Sequence, residues 1–230
     1  MHYARLLPLA VVAAITWPGA SLEAGAGAQG PSPRPTDVVT AFLSRQDPPA
    51  RSYRARRRLA ARNERFSREA WLEVMTELGP SGFTYRTIAQ GGSEYVLGKV
   101  LRPALDAERD LVASGSGLPF DAANYRLTAD GFEGELPRIR AMPTRKDKRL
   151  VDGWLLVSPH NTDLVAVKGQ LAKSPSFWTS RVDIVRRYAR VAGVRVPVAL
   201  ESTADVKIAG RSTFRMNYTY ESVNGVAVAR

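Results

Sequence analysis

Apolar and polar residues alternate along several segments of the chain, and a period of two is typical of β-strands with one buried and one solvated face. The alternation is clearest in the C-terminal half, in the runs Val194, Val196, Val198, Leu200, Ala204, Val206, Ile208 and Phe214, Met216, Tyr218, Tyr220. Ala192–Gly193 and Ala209–Gly210 separate these runs from their neighbours, and glycine supplies the positive φ of tight hairpins. The pattern predicts three consecutive antiparallel strands in a meander.

Earlier segments extend the same pattern. From residue 52, Arg54, Arg56 and Arg58 alternate with apolar residues, although Arg57 interrupts the alternation. Segments 70–78 and 83–89 flank a Gly-Pro-Ser-Gly turn and are predicted to form a hairpin. Segments 150–157 and 164–171 flank a polar turn and form another. Their apolar residues alternate poorly, which indicates strands covered on both faces.

Two segments have helical periodicity instead. Thr36 can cap a short helix whose face carries Val38, Val39, Phe42 and Leu43. Gly91, Gly92 and Ser93 then precede one long helix over 94–113. Its apolar face carries Val96, Leu97, Val100, Leu101, Ala104, Leu105, Leu111 and Val112. Pro103 lies in the middle of this segment, so we expect a kink or a break there.

These elements predict a single domain over residues 36–230, of the mainly β class with some α. It consists of a strongly curved antiparallel sheet with the long helix packed on its apolar concave side. No internal repeat is present in the sequence, and no linker follows residue 50.

The N-terminus has the organisation of a secretory signal peptide over residues 1–28. A short basic start precedes an apolar run over 6–17, and small residues follow, with cleavage expected after Ala26 or Ala28. The apolar run is too short to span a membrane, which needs roughly 20 residues. Residues 29–35 form a Pro-rich tether. The sequence therefore predicts an exported, periplasmic protein.

Composition excludes several classes of chemistry. The 230-residue chain has no cysteine, so it has no thiolate nucleophile, no Cys-based metal site and no lipobox cysteine for lipidation. His160 lies near Ser158 and Asp163, but no G-x-S-x-G elbow surrounds any serine, so we interpret it as an exposed turn residue. We predict no enzymatic activity, no cofactor and no metal site.

The charge balance points to an anionic partner. Lys and Arg number 33 against 22 Asp and Glu, a net charge of +11. Export argues against nucleic acid and in favour of anionic lipid headgroups or an acidic envelope protein. The candidate surface is arginine-rich, with only Glu64 in opposition, and consists of Arg54, Arg56, Arg57, Arg58, Arg62 and Arg65. It is either a docking surface or a solvated strand face.

A resemblance is carried by the run Phe177, Trp178, Arg186, Arg187, Tyr188, Gly193, Val196, Pro197, Glu201, Ser202, Gly210, Phe214, Tyr218, Thr219, Tyr220 and Glu221. This pattern, over about 177–222, resembles the C-terminal half of bacterial outer-membrane lipoprotein-sorting and LolA-like proteins. The resemblance implies an incomplete, half-open β-barrel whose apolar cavity holds acyl chains under a helical lid. It transfers no individual ligand-binding residue.

On that basis we expect an exported, non-enzymatic carrier or binding protein for lipid or acylated lipoprotein cargo, acting as a monomer. Its predicted cavity lining is Phe214, Met216, Tyr218, Tyr220, Val196, Val198 and Leu200, residues that are otherwise ordinary core. Its predicted lid helix presents Val96, Leu97, Val100, Leu101 and Leu105. The alternative is an envelope adaptor with a filled core that binds an acidic partner or anionic lipid through the arginines. Asp106, Glu108 and Asp110 are expected to form surface ion pairs with Arg102 and Arg109.

Overall fold

The computed structural model describes residues 35–115, 118–177, 179–207 and 209–229. The predicted signal peptide lies outside these residues. Within them, one antiparallel sheet contains eleven strands. The strands are β1 Tyr53–Asn63, β2 Arg68–Gly79, β3 Gly82–Gly92, β4 Tyr125–Glu133, β5 Leu136–Pro143, β6 Val151–Val157, β7 Leu164–Leu171, β8 Thr179–Val191, β9 Val194–Val206, β10 Gly210–Val223 and the short β11 Val226–Ala227.

The order of strands across the sheet is β3-β2-β1-β10-β9-β8-β7-β6-β5-β4, and β11 pairs with β10. Strands β4 to β10 therefore form one long meander, and the first three strands attach beside β10. The sheet does not close, since β3 and β4 are its two edges. This confirms the predicted mainly β class with an open, curved antiparallel sheet, and it confirms the predicted hairpins and C-terminal meander.

The helices cover the sheet. Helix α1 (Pro35–Ser44) packs on β4 and β5 through Val38 and Phe42, and it includes Pro35, which had been assigned to the tether. A second helical segment connects the two edge strands and packs mainly on β1, β2 and β3. It consists of α2 (Glu94–Val96), a π-helical turn (Leu97–Leu101) and α3 (Arg102–Ser114). We call this segment the bridging helix.

The interruption expected at Pro103 is present as a change of helix type. Pro103 has no N–H to donate, and the π-helical turn immediately precedes it, with the Arg102 N–H bonding the Leu97 carbonyl. Gly92 allows the entry into the helix: its φ is +94°, and a Cβ there would lie 2.4 Å from the Glu69 carbonyl oxygen. At the other end, Gly115 adopts a left-handed C-cap.

A row of inward-facing residues crosses the sheet, one from each strand between β2 and β4. In sheet order the row is Leu72, Leu59, Met216, Leu200, Arg186, Val167, Leu155, Ile139 and Ala129. All are buried except the half-buried Ala129. This inner row forms the middle of the core, and Arg186 is its only charged member.

The outer face is ionic instead. Cross-strand partners pair on it, as in Arg187–Glu201 at 2.6 Å and Arg211–Asp205 at 3.4 Å. Exposed pairs of this kind contribute only about 0–1 kcal/mol each. The alternation that predicts the strands therefore separates an apolar concave face from a charged convex face.

One end of the sheet has a partly buried ion cluster. Asp47, after α1, pairs with Arg45, Arg190 and Arg195 at 3.0, 2.6 and 3.1 Å, and Arg190 also pairs with Asp163 at 2.8 Å. Burial alone would raise the pKa of Asp47, but the hydrogen bond from Arg190 and the neighbouring arginine charges hold it below its ordinary value. The cluster ties the chain after α1 to the β6–β7 and β8–β9 turns.

Strands β6 and β7 approach each other closely where Gly153 and Gly169 are paired. A Cβ on Gly153 would lie 2.0 Å from the Lys168 carbonyl oxygen, and one on Gly169 would lie 2.3 Å from the Asp152 carbonyl oxygen. Backbone atoms cannot yield as a flexible side chain does. Only glycine therefore fits this close approach of the two strands.

We expect Gly169→Ala to lower the free energy of unfolding by about 1–3 kcal/mol, the range for overpacking a filled interior. Gly79→Ala is the control, because a Cβ at Gly79 meets nothing within 4 Å. Urea denaturation followed by circular dichroism measures both. Equal stability of the two variants would show that β6 and β7 can separate.

Candidate functional site

The predicted cavity lining lies on the inner face but belongs to two clusters. Phe214, Met216 and Leu200 are buried in the main core. Val196 and Tyr220 belong to a second, smaller cluster, against which Val198 packs. Tyr218 is half-buried and packs against both clusters. In this state the inner face is covered, and its residues are packed core.

The predicted lid residues form the underside of the bridging helix. Val96, Leu97, Leu101 and Leu105 are buried in the same core as the sheet residues, and Val100 is half-buried. The lid prediction thus identifies the helical face that contacts the sheet. A ligand that reaches the inner face of β1 to β3 has to displace part of this helical face.

The structure corrects the assignment of Arg57 to the surface. Inward positions on β1 are the odd-numbered ones, and Arg57 occupies one of them, 1% exposed, between Val74 and Tyr218 on the neighbouring strands. Arg57 Nη1 donates to Glu108 Oε2 at 2.6 Å, and Nη2 donates to Oε1 at 2.9 Å. This bidentate ion pair joins the sheet to the bridging helix.

Glu108 is corrected as well. The sequence predicts a surface ion pair for Glu108, but this residue follows Leu101 and Leu105 on the buried side of the bridging helix, and its side chain is only 15% exposed. Asp106 does form the expected surface pair, with Arg109 at 3.0 Å. Arg102 instead lies 4.0 Å from Glu94.

Aromatic rings surround the buried ion pair. The Arg57 guanidinium lies 4.5, 5.2 and 5.6 Å from the ring centroids of Tyr218, Phe83 and Tyr53, and Nη2 donates to the Tyr53 hydroxyl at 2.6 Å. Burial would lower the pKa of Arg57, but the Glu108 carboxylate outweighs it and raises the pKa above its ordinary value. The guanidinium therefore stays charged.

The neighbouring tyrosines stay protonated. Burial raises the pKa of Tyr218 and of Tyr53, and the charge of Arg57 opposes this only in part. Their hydroxyls are thus neutral hydrogen-bonding groups at physiological pH.

A second arginine lies inside the sheet. Arg186 on β8 is 8% exposed, opposite Leu200 on β9 and Val167 on β7. Tyr188, Tyr218 and Glu108 are the groups that act on it electrostatically. Arg57, Glu108, Tyr53, Tyr218, Tyr188 and Arg186 together form the inner polar cluster.

The remaining members of the arginine surface lie on the outside, at exposed positions. Tertiary structure places acidic partners beside three of them. Arg54 pairs with Glu221 at 3.0 Å, and Arg56 and Arg58 lie 3.4 and 3.8 Å from Glu73. The expectation that Glu64 alone opposes the arginines is therefore wrong, because glutamates on β2 and β10 reach the same face.

His160 is exposed in the β6–β7 turn, as predicted. Within the described ranges, no cluster of His, Asp and Glu has the arrangement of a metal site. No helix in the same ranges has the length and hydropathy that a membrane span requires.

Sequence analysis missed Glu108 and Arg186 as interior residues. A signal for both was present, since each charge occupies a position where the local period requires an apolar residue. Arg186 follows Val182 and Ile184 at a spacing of two, and Glu108 follows Leu101 and Leu105 at helical spacing.

No protein-family model matches the chain, and none of the curated proteins matches it. Among solved structures, the chain is similar to a DUF1329 family protein from Desulfovibrio piger ATCC 29098. The TM-score is 0.37 and the sequence identity 8%, over 84% of this chain and 91% of the other. A likeness of this strength shows nothing about function.

We expect Glu108→Gln to lower the free energy of unfolding by about 3 kcal/mol, because it leaves the Arg57 charge buried without its carboxylate. Asp110→Asn, at an exposed position of the same helix, is the control and is expected to cost less than about 1 kcal/mol. Urea denaturation measures both. Similar losses in the two variants would contradict the structural role of the inner pair.

Proposed function

We propose that the protein is an exported, non-enzymatic binding or carrier protein for lipid or acylated lipoprotein cargo, of the lipoprotein-sorting type. The acyl chain would lie along the inner face of the open sheet, beneath the bridging helix. The exported state follows from the signal-peptide pattern of residues 1–28.

The observation that carries this proposal is the inner polar cluster. A structural core gains little from buried charges, since desolvating an ion costs several kcal/mol and apolar residues in its place often give equal or greater stability. Here the pair of Arg57 and Glu108 lies between the sheet and the bridging helix, and a second buried arginine, Arg186, lies in the inner row of the sheet. Polar groups that converge within an apolar interior are typical of sites that orient an amphiphilic ligand.

The architecture supplies a route to the inner face. The bridging helix connects two strands that are not paired to each other, so its displacement breaks no strand pairing. The π-helical turn over 97–101 interrupts its regular hydrogen bonding, and such turns are common at functional sites. We infer that this segment moves when a chain enters.

The first test is native mass spectrometry of the protein produced from its full coding sequence in a Gram-negative host, with extraction of any co-purifying lipid. We expect a stoichiometric lipid or acylated peptide, or saturable uptake of a fluorescent hexadecanoate. Tyr218→Ala removes an inner ring, so it should weaken uptake about tenfold, since a buried side chain contributes about 1.5–3 kcal/mol.

Thr219→Ala is the matched control, because Thr219 is the next residue on β10 and is exposed on the outer face. It should leave uptake unchanged. A protein that carries no lipid and takes up no fluorescent hexadecanoate contradicts the carrier function and favours a filled-core adaptor.

A second candidate function, docking on an anionic lipid surface, is favoured by one end of the sheet. The β1–β2 turn and the β9–β10 turn meet there: the Glu64 N–H bonds the Arg211 carbonyl at 3.0 Å. Phe66 and Phe177 are 47% and 79% exposed at this end, and Lys207 Nζ lies 4.2 Å from the Phe177 ring centroid. Exposed aromatic rings beside basic side chains suit a membrane interface.

We expect the protein to cosediment with vesicles that contain phosphatidylglycerol, and to dissociate at a few hundred millimolar salt. The double variant Phe66→Ser/Phe177→Ser should weaken this binding at least tenfold, because two apolar rings no longer enter the interface. Phe132→Ser is the control, since Phe132 is exposed at the opposite end of the sheet. Equal weakening by the control would contradict docking through this end.

A further inference from the structure

We propose that Arg186 binds the anionic head group, a carboxylate or a phosphate, of the amphiphile whose acyl chain occupies the inner face. The inference rests on the proposed carrier function and names the polar part of its ligand. It is carried by the position of Arg186, by its lack of an ion-pair partner and by the groups around it.

The position of Arg186 is at the middle of the inner row. In register, Leu200 lies on one side and Val167 on the other, and the row continues as Met216 and Leu59 in one direction and as Leu155 and Ile139 in the other. A chain along this row therefore has apolar contacts on both sides of the cation. An amphiphile matches that pattern, with its charge at Arg186 and its chain along either half of the row.

Arg186 also lacks the partner that Arg57 has. Arg57 uses both terminal nitrogens on Glu108. Among the described residues, no carboxylate forms an ion pair with Arg186, and the Tyr188 hydroxyl is its hydrogen-bonding neighbour. Its buried Nε, like that of Arg57, has no hydrogen-bond partner. With Arg57 and Glu108 neutralising each other, the interior retains one positive charge. A singly charged anion balances it.

The chemistry of the guanidinium selects the ligand class. Arginine stays charged in proteins, and its planar fork donates two parallel hydrogen bonds to a carboxylate or a phosphate. The Tyr188 and Tyr218 hydroxyls lie close enough to act on Arg186 and can donate to the same anion. A free inorganic anion gains these bonds but no contact with the apolar row, so the acyl chain is required for tight binding.

The experiment compares ligands that share a chain but differ in head group. Isothermal titration calorimetry of the exported full-chain product uses dodecanoate and dodecyl phosphate below their critical micelle concentrations and dodecanol below its solubility limit, with inorganic phosphate as the free anion. The variants are Arg186→Met, which replaces the cation with an unbranched apolar side chain, and Arg186→Lys, which keeps the charge without the fork. Arg187→Met is the matched control, because Arg187 is the next residue on β8 and pairs with Glu201 on the outer face.

We expect the wild-type protein to bind dodecanoate and dodecyl phosphate at least tenfold more tightly than dodecanol, and inorganic phosphate far more weakly than either. Arg186→Met should abolish the preference for a charged head group while the affinity for dodecanol stays unchanged. Arg186→Lys should retain a reduced preference, and Arg187→Met should behave as the wild type.

The outcomes separate this inference from the proposed function. If dodecanoate, dodecyl phosphate and dodecanol bind with equal affinity, and Arg186→Met does not change these affinities, the role of Arg186 is overturned while the carrier function stands. No binding of any chain overturns both. If inorganic phosphate binds as tightly as dodecyl phosphate, the ligand is a free anion and the proposal of an amphiphile is overturned. If near-ultraviolet circular dichroism shows that Arg186→Met does not fold, the test uses Arg186→Lys. A preference of this variant for a charged head group that equals the wild-type preference overturns bidentate binding.

Discussion

The ion pair between Arg57 and Glu108 is the interaction that joins the two parts of this fold. The sheet does not close, so its concave face has to be covered by other elements, and apolar contacts alone specify no orientation for the helix that covers it. A bidentate pair with a nearly inaccessible guanidinium does specify one. The aromatic rings around Arg57 extend that specificity to β3 and β10.

The two faces of the sheet divide the charge of the chain between different roles. On the convex face, arginines lie beside glutamates and aspartates of adjacent strands, in solvent, where each pair contributes little to stability. The net charge of +11 is therefore less concentrated on β1 than its sequence indicates. On the concave face, charge is rare and costly. The proposed function rests on the few charged residues of this face.

An open sheet, a helix with a π-helical turn and an unpaired internal cation suit a protein that binds an amphiphile. In the function that we propose, the apolar row would supply affinity for an acyl chain, and Arg186 would supply selectivity for its head group. The buried charge lowers the free energy of unfolding, because desolvating an ion costs several kcal/mol. Such trade-offs are expected where a binding site occupies the core.

The sequence by itself predicted most strands, the hairpins, the C-terminal meander and the long helix with its interruption at Pro103. These features depend on local period, on turn residues and on the missing N–H of proline, all of which are readable along the chain. It did not locate β4 and β5 individually. The pattern fails at β4 because the pairing of β4 with β5 is irregular between Ala129 and Phe132, and this irregularity obscures the period of two.

Only the tertiary structure decided which residues meet. The pairing of β1 with β10 brings Glu221 beside Arg54, and the packing of the bridging helix brings Glu108 to Arg57, 51 residues away along the chain. The period of apolar positions along a strand shows that a charged residue faces inward, as at Arg57 and Arg186. It does not show whether an oppositely charged residue lies beside it. That depends on contacts between distant segments, which are set by the packing of the whole core and not by local preference.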